Sequence, residues 1–326
     1  MESEYEIFRQ KRHEKWNTPE EEIEWALKEA GGSGILKKDR IIEGETNEVH
    51  MVTDSKQREF VVRISHRENH KFERFEREKW ALEKCAEKGV PVPKPLFVGK
   101  REVEGKLLQF LVESKLTGVD LRTYLKQGGN KEAVMKEVGT QLAKIHSVSM
   151  DGFGSLNEEG HAEYKTANDL IRGDKHCQAQ KVLENDKVGI LDKHVIEDAG
   201  DVLISELEKV SGVEPVLLHG DIQPSHILVH NGQVSGFIDF ENAKAGDRAE
   251  EFARWEMKFG EKYPIELFKK GYGEEFFGAD FEFRKNYWRV FQSMARLTYL
   301  LREGKQFSIG EAEERLKETL RYFEDV

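Results

Sequence analysis

The sequence predicts a two-lobed α+β fold, with a small antiparallel sheet in the first lobe and a larger, mostly helical second lobe. Three observations support this prediction. The chain has 326 residues, which is long for a single hydrophobic core. Strand-like patterns are concentrated before about residue 114, and helical apolar spacing dominates after it. We therefore place the first lobe at residues 1–113, with a leading helical segment at 1–32, and the second at 114–326.

The first lobe opens with a predicted helix near residue 18. Thr18 is expected to cap this helix, Pro19 suits its first turn, and Glu21 completes a capping box. Ile23, Ala26, Leu27 and Ala30 form one apolar face. Gly31 and Gly32 then end the helix.

A strand, a polar turn and a second strand follow. The strands are predicted at 41–52 and at 59–65 (EFVVRIS), with the turn TDSKQR between them. The pattern from 69 to 88 is helical, and its buried stripe carries Phe75, Glu78, Leu82 and Cys85. The segment 107–114 (LLQFLVES) reads as a buried strand that leads to the second lobe.

The second lobe is predicted to contain helices and one polar hairpin. The helices fall at 134–148, near 193–210 and around 286–301. Two short strands flank a tight turn at Asn231-Gly232, a dipeptide typical of hairpins. The hairpin therefore lies inside an otherwise helical lobe.

Composition excludes some classes of partner. The net charge is −11, so the chain repels phosphate backbones and anionic lipid, and we expect neither nucleic acid nor membrane as a partner. No apolar run approaches about 18 residues, the length needed to span a membrane. The charged start has no signal-peptide pattern, and the chain has only two cysteines, so we expect a cytoplasmic protein.

Asp221 and Asp239 each end an apolar run, in VLLHGD and SGFIDF. Two carboxylates at the ends of buried strands need cations beside them, because removing an unpaired ion from water costs several kcal/mol. Either they pair with basic side chains, or they hold a metal and handle protons. For Asp239, the purely structural alternative is an ion pair with Lys244 or Arg248.

The segments HGDIQPSH and IDFENAKAGD resemble the catalytic region of the aminoglycoside phosphotransferase and choline kinase family, whose fold is kinase-like. Weaker matches lie in the family order at GETN (44–47), FVVRIS (60–65), QLAKIHSV (141–148) and DGFGSL (151–156). The resemblance runs from about Ile41 to Trp255. It implies transfer of the γ-phosphoryl group of ATP or GTP, with Mg²⁺ as cofactor.

The resemblance also implies roles for the residues of the catalytic segment. Asp221 would be the general base that accepts the acceptor proton, and Asp239 would bind magnesium. Asp247 matches the structural Asp that holds the catalytic loop, although Arg248 follows it where the family often has Pro. His219 would brace the same loop.

His226 departs from the family pattern, which has Asn at this position. Imidazole is a poor ligand for so hard a cation, so three interpretations stay open. His226 binds the metal through nitrogen, holds a metal-bound water, or marks an inactive member. The aminoglycoside 2″-phosphotransferases of the family also carry His here. A zinc cluster of His219, His226 and His230 is disfavoured by spacings of seven and four residues.

The nucleotide side of the site is expected to lie in the first lobe. Arg63 would reach the phosphates, and Glu78 would pair with it, because a lone charge on a buried helix stripe is costly. The turn from Gly44 to Asn47 would cover the phosphates. Backbone groups of Glu113 and Lys115 would bind the adenine.

The acceptor is expected to be a small molecule, because only seven residues separate Asp239 from Asp247 and leave no room for a peptide-binding segment. Nearby acidic residues favour a cationic acceptor, first of all an aminoglycoside-type antibiotic. These residues are Glu241, Glu250, Glu251 and Glu256. The alternative for them is a solvated helix face.

Other functions stay open at this point. The acceptor could instead be a choline-like amine, a sugar, an amino alcohol or a macrolide. A non-catalytic kinase-like module that binds a nucleotide or ligand without turnover is the alternative from a different class. We expect a monomer or a weak dimer.

Overall fold

The computed structural model describes residues 4–42, 44, 46–66, 74–175 and 177–324. The first half of the described chain contains α1 (Glu4–His13), α2 (Glu20–Glu29), β1 (Ile35–Ile41), β2 (Glu48–Asp54), β3 (Glu59–Ser65), α3 (Arg74–Glu87), β4 (Pro95–Val103), β5 (Lys106–Ser114), β6 (Val119–Asp120), α4 (Leu121–Lys126) and α5 (Lys131–Ile145). The second half contains β7 (Phe153–Leu156), β8 (Ala162–Tyr164), α6 (Ala167–Gly173), α7 (Ala179–Asn185), α8 (Lys193–Ser205), β9 (Val216–Leu218), β10 (Ile227–His230), β11 (Gln233–Phe237), β12 (Lys244–Gly246), α9 (Arg248–Phe259), α10 (Glu266–Tyr272), α11 (Ala279–Arg302) and α12 (Ile309–Glu324).

The first lobe is a five-stranded antiparallel sheet in the order β1-β2-β3-β5-β4. Helix α2 packs Ile23 and Leu27 against it, in one apolar core with Val62 and Phe110. The predicted strand pair 41–52 and 59–65 corresponds to β2 and β3. The sequence pattern did not reveal β1 and β4, because β1 is an edge strand with mostly exposed, charged residues.

Thr18 does not cap α2, contrary to the sequence prediction. The helix has no side-chain cap, and the Thr18 hydroxyl donates instead to Glu48 Oε2 at 2.7 Å. Glu48 is buried and also accepts bonds from His50 and His66. A buried carboxylate must be fully satisfied, so it takes the hydroxyl that the capping box would have used.

Helix α3 carries the predicted stripe, and all four of its members are buried. The predicted helix began at 69, but residues 67–73 lie outside the described part of the chain. Ala81, Leu82 and Cys85 of α3 belong to the core of the second lobe. The helix therefore carries Glu78 at the boundary between the two cores, with its carboxylate toward the sheet.

The second lobe is built around the helices α5, α8, α9, α11 and α12, with two small sheets set among them. One sheet has the order β11-β10-β6 and the other β8-β7-β12-β9. The predicted hairpin is confirmed, and Asn231 and Gly232 both have positive φ at its turn. The prediction of an α+β architecture, with a small antiparallel sheet in the first lobe and a larger helical second lobe, is thus confirmed, while the boundary at 113/114 stays our proposal.

No helix in the described part of the chain is long and apolar enough to cross a membrane.

Candidate active site

The catalytic loop leaves β9 at His219-Gly220-Asp221. Gly220 has φ +77°, and a Cβ there would lie 1.9 Å from the carbonyl oxygen of Asn242. Only glycine allows this conformation and this close approach without strain. The loop is therefore pressed against the chain that follows Asp239, and the segments HGDIQPSH and IDFENAKAGD meet in space.

The carboxylate of Asp221 faces two cations on α9. Arg254 donates to its Oδ1 through Nη2 at 2.5 Å and through Nε at 3.2 Å, and Lys258 Nζ lies 3.5 Å from the same oxygen. Burial by itself raises the pKa of Asp221, but the charges of Arg254 and Lys258 outweigh it and hold that pKa well below its ordinary value. Asp221 is therefore ionised throughout the physiological range.

Arg254 and Lys258 were not identified from the sequence as site residues. They stand four residues apart in RWEMK, so they share one face of the helix. That spacing is common on solvated helices. Only the packing of α9 beneath the catalytic loop distinguishes this pair from two cations on a solvated helix.

Asp239 lies at the end of β11 in a left-handed conformation, with φ +68° and ψ +60°. Its Oδ1 accepts a bond from Arg63 Nη2 at 2.6 Å, and its Oδ2 lies 3.4 Å from His226 Nε2. Burial raises the pKa of Asp239, but the charge of Arg63 outweighs it and lowers that pKa. The backbone strain aims an ionised carboxylate at the cleft.

His226 bridges the two aspartate loops. Its Nδ1 donates to the backbone carbonyl of Asp221 at 3.0 Å, so Nε2 presents a lone pair toward Asp239. Gln223 Nε2 donates to the same ring nitrogen at 2.8 Å. The bond at Nδ1 fixes the tautomer that a metal needs, but the Nε2 lone pair accepts Gln223 here, so Gln223 would have to turn away before Nε2 could bind a cation beside Asp239.

These residues fit a magnesium ion that takes most of its ligands from phosphates. Within the described ranges, no group of three or more His, Cys, Asp or Glu side chains could hold a metal by itself. Asp239 offers one carboxylate, and His226 offers one nitrogen. Mg²⁺ in kinases is held in this way, by one or two protein groups together with the nucleotide.

His219 braces the catalytic loop with both ring nitrogens. Its Nε2 donates to the carbonyl of Ile238 at 3.0 Å, and its Nδ1 accepts the N–H of Asp221 at 3.3 Å. Its ring stacks on His226 with the centroids 6.1 Å apart. Because both nitrogens are engaged, His219 has no lone pair to offer zinc.

Arg63 and Glu78 form the buried ion pair that the sequence analysis expected, through Arg63 Nη1 and Glu78 Oε1. Both side chains are buried, which rules out a Glu78 that points into water. Burial raises the pKa of Glu78 and of Glu113 above the ordinary carboxyl value, whereas the charge of Arg63 opposes both shifts and favours the ionised forms. Within the described chain, the charges of four carboxylates act on this one guanidinium: those of Glu78, Asp239, Glu113 and Glu241.

The turn between β1 and β2 contacts both the N-terminal helix and the second lobe. His13 Nε2 bonds the carbonyl oxygen of Gly44 at 2.6 Å, and Asn47 Nδ2 donates to Glu241 Oε2 at 2.7 Å. Arg77 donates to the backbone carbonyl of Glu241. Asn47 thus reaches across the cleft to the loop that follows Asp239.

The predicted adenine hinge begins at the end of β5. Glu113 pairs with Val61 and Pro95 in the sheet, and Lys115 lies just beyond the strand. The Lys115 side chain donates to Glu59 Oε1 at 2.6 Å on the surface. Adenine recognition by their backbone groups stays a prediction.

The four glutamates assigned to a cationic acceptor all bond groups of the protein itself, and all but Glu256 are buried. Glu241 bonds Asn47, and Glu250 accepts Lys244 Nζ at 2.7 Å. Glu256 pairs with Lys285 at 3.0 Å and Arg289 at 3.3 Å. The structure therefore corrects both earlier interpretations for Glu250 and Glu251, since these side chains are 1% and 2% exposed and reach neither an acceptor nor bulk water.

Glu251 supports the catalytic loop from below. Its Oε2 accepts the backbone N–H of His219 at 2.6 Å, and its Oε1 accepts that of Gly220 at 3.2 Å. Burial raises its pKa, but the bond and charge of His146 outweigh burial and lower it. The side chain is thus a charged clamp on the loop backbone.

We expect Glu251→Gln to loosen this clamp, because an amide has one acceptor oxygen in place of two and its NH₂ group faces an N–H donor. Loss of one buried, charge-assisted bond should lower the free energy of unfolding by about 1–3 kcal/mol. Urea denaturation followed by circular dichroism measures it, with the exposed Glu261→Gln as control. Equal urea midpoints for Glu251→Gln and Glu261→Gln would show that the bonds of Glu251 to the loop backbone do not stabilise the protein.

Asp247 caps α9 through the N–H of Ala249 at 2.9 Å. Its carboxylate also accepts Arg284 Nη1 at 2.9 Å and Trp288 Nε1 at 3.0 Å, and it is fully buried. It therefore fixes the start of the helix that carries Arg254 and Lys258. These bonds join α9 to α11 rather than to the loop at 219–221, so the expected role of Asp247 in holding that loop stays a prediction.

Comparison with known proteins gives one family. The sequence profile described as "Phosphotransferase enzyme family" (APH) matches residues 39–302, more than half of the chain. Hygromycin-B 4-O-kinase of Escherichia coli is 24% identical over 184 residues, which is 55% of this chain and 51% of that protein. The uncharacterized protein YcbJ of Bacillus subtilis (strain 168) is 44% identical over 52 residues, 16% of this chain and 17% of that protein. The matches thus span about half or less of the length of these curated relatives.

The fold has solved counterparts. A thermostable mutant of aminoglycoside phosphotransferase APH(4)-Ia, in ternary complex with AMP-PNP and hygromycin B, superposes with a TM-score of 0.74 and 20% identity. The match covers 92% of this chain and 97% of that one. At this identity the likeness establishes the architecture.

Proposed function

The chain belongs to the phosphotransferase enzyme family, and on this premise we propose that it is a small-molecule kinase. It transfers the γ-phosphoryl group of ATP or GTP to a hydroxyl group of its acceptor. The observation that carries the proposal is the pairing of Asp221 and Asp239 through His226, which contacts the loop of one and the carboxylate of the other.

Asp221 orients the acceptor hydroxyl and takes its proton. Arg254 and Lys258 occupy its Oδ1, which directs the acceptor to Oδ2. Because the pKa of Asp221 is low, it is a weak base in the resting site. This suits phosphoryl transfer, in which positioning and charge stabilisation contribute most of the rate and the proton leaves late.

Asp239 and His226 would hold magnesium, which when bound neutralises charge on the nucleotide phosphates. Arg63 lies beside Asp239 and is anchored by Glu78, so its guanidinium is placed to meet a phosphate oxygen. Asn47 and Gly44 would cover the phosphates from above. Replacing His226 with Asn, the residue usual in the family, tests whether His226 binds the metal directly or through a water molecule.

The first acceptor class to test is the aminoglycosides. The names of two relatives support it, a hygromycin-B kinase and an aminoglycoside phosphotransferase crystallised with hygromycin B. The short segment between Asp239 and Asp247 supports a small acceptor of any kind. The glutamates near the site give no support to a polycationic acceptor, because they bond groups of the protein itself. The cytoplasmic location and the oligomeric state stay predictions.

The proposal is tested by a coupled assay for nucleotide consumption with ATP or GTP, with and without Mg²⁺, against a panel of aminoglycosides, macrolides, sugars and amino alcohols. We expect acceptor-dependent turnover that disappears when EDTA removes the metal, and a phosphate monoester in the ³¹P NMR spectrum. Nucleotide binding in a thermal-shift assay without turnover on any acceptor would instead indicate a non-catalytic binding module.

A further inference from the structure

The face of α9 beside Asp221 presents two cations to one carboxylate. Asp221 supplies one negative charge to Arg254 and Lys258 together. The charge of Arg296 on α11 also reaches Lys258. Glu250 and Glu251 of α9 act on Arg254 through their charges, but their hydrogen bonds go to Lys244 and to the loop backbone.

The pKa of Lys258 reports this crowding. Burial lowers it, the charges of Arg254 and Arg296 lower it further, and Asp221 alone opposes them, so that it falls to about 8. The side chain is still 32% exposed, as is 24% of Arg254. A structural ion pair would need only one of the two cations. Like charges kept together at a cleft indicate a binding role.

We propose that Arg254 and Lys258 bind an anionic group of the acceptor next to the hydroxyl that is phosphorylated. The acceptor therefore carries a carboxylate or phosphate on the atoms beside this hydroxyl. Ammonium groups are excluded from that position by repulsion. An aminoglycoside satisfies the requirement only at a hydroxyl remote from its amino groups.

This inference rests on the proposed function, since it assumes that the acceptor hydroxyl meets Asp221. The γ-phosphoryl group of the nucleotide is the other anion that comes close to Asp221. Nucleotide contacts are expected on the other side of the cleft, at Arg63 and Asn47. We therefore assign the α9 cations to the acceptor.

The test uses three sugars that share one ring and differ in charge: glucuronate, glucose and glucosamine. Binding to the full chain is measured by ligand-observed NMR in the presence of Mg²⁺ and AMP-PNP. We expect glucuronate to bind best and glucosamine worst. In Lys258→Met and Arg254→Gln the preference of glucuronate over glucose should fall by roughly tenfold, the value of a lost bond to a charged group.

Two further variants sharpen the result. Lys258→Arg should keep the preference for glucuronate over glucose and hold it constant from pH 7 to 9, because the guanidinium stays charged. The natural protein should lose this preference as Lys258 gives up its proton above about pH 8. Lys262→Met changes an exposed lysine just beyond the end of α9 and should leave the preference as in the natural protein.

Two outcomes would overturn the inference. One is equal binding of the three sugars or a preference for glucosamine. The other is a tenfold loss of AMP-PNP affinity in Lys258→Met with an unchanged sugar preference, which would assign the cations to the nucleotide. Neither readout requires turnover, so failure of the kinase assay and failure of this inference are distinguishable.

Discussion

Replacing Asp221 with Asn should lower kcat by about 10²–10⁴-fold with the best acceptor, because the amide keeps the shape of the side chain but cannot accept the proton. The change should leave nucleotide affinity unaltered. The side chain of Asp221 contacts Arg254 and Lys258 on α9 rather than the nucleotide residues of the first lobe. Steady-state kinetics gives kcat, and a thermal-shift titration with Mg²⁺ and AMP-PNP gives the affinity.

The control for Asp221→Asn is Asp201→Asn, an exposed aspartate on α8 that should leave kcat at the natural value. Because the carboxylate pairs with two cations, the stability of each variant is measured in parallel. A variant that remains folded and retains more than about a tenth of the natural kcat would remove Asp221 from the proton transfer.

Replacing Arg63 with Met should have the largest effect on stability. Arg63 neutralises Glu78 and Asp239 inside the protein, and its loss leaves carboxylates buried without their partner. Breaking a buried ion pair in this way lowers the free energy of unfolding by about 3–5 kcal/mol. Nucleotide affinity should also fall, because the only arginine aimed from the sheet at Asp239 in the described chain is removed.

Urea unfolding measures the loss, and Arg122→Met is the matched control. Arg122 pairs with Asp120 on the surface and is 52% exposed, so its removal should cost no more than about 1 kcal/mol. The double variant Arg63→Met with Glu78→Leu should regain part of the lost stability, since it removes one stranded charge together with its partner. A loss in Arg63→Met as small as that in Arg122→Met would show that the pair does not hold the lobe together.

The acceptor side shows where pattern reasoning failed. Glu250 and Glu251 look like solvated or substrate-facing acids in the sequence, because acidic residues at a helix start are common there. In the structure they clamp Lys244 and the loop at His219-Gly220. Conversely, Arg254 and Lys258 look like ordinary surface cations in the sequence and contact the carboxylate of Asp221 in the structure. Residue type alone does not tell which face of a helix is buried.

The sequence alone determined the order of sheet and helices, the hairpin at Asn231-Gly232 and the two aspartates that end apolar runs. These features follow from local periodicity and from the cost of burying a charge, and both can be judged from residues close together in the sequence. Tertiary structure alone decided which cations meet Asp221, which tautomer His226 adopts and where Thr18 donates. Those outcomes depend on contacts between residues far apart in sequence, and the satisfaction of buried polar groups selects them only once the two lobes are packed.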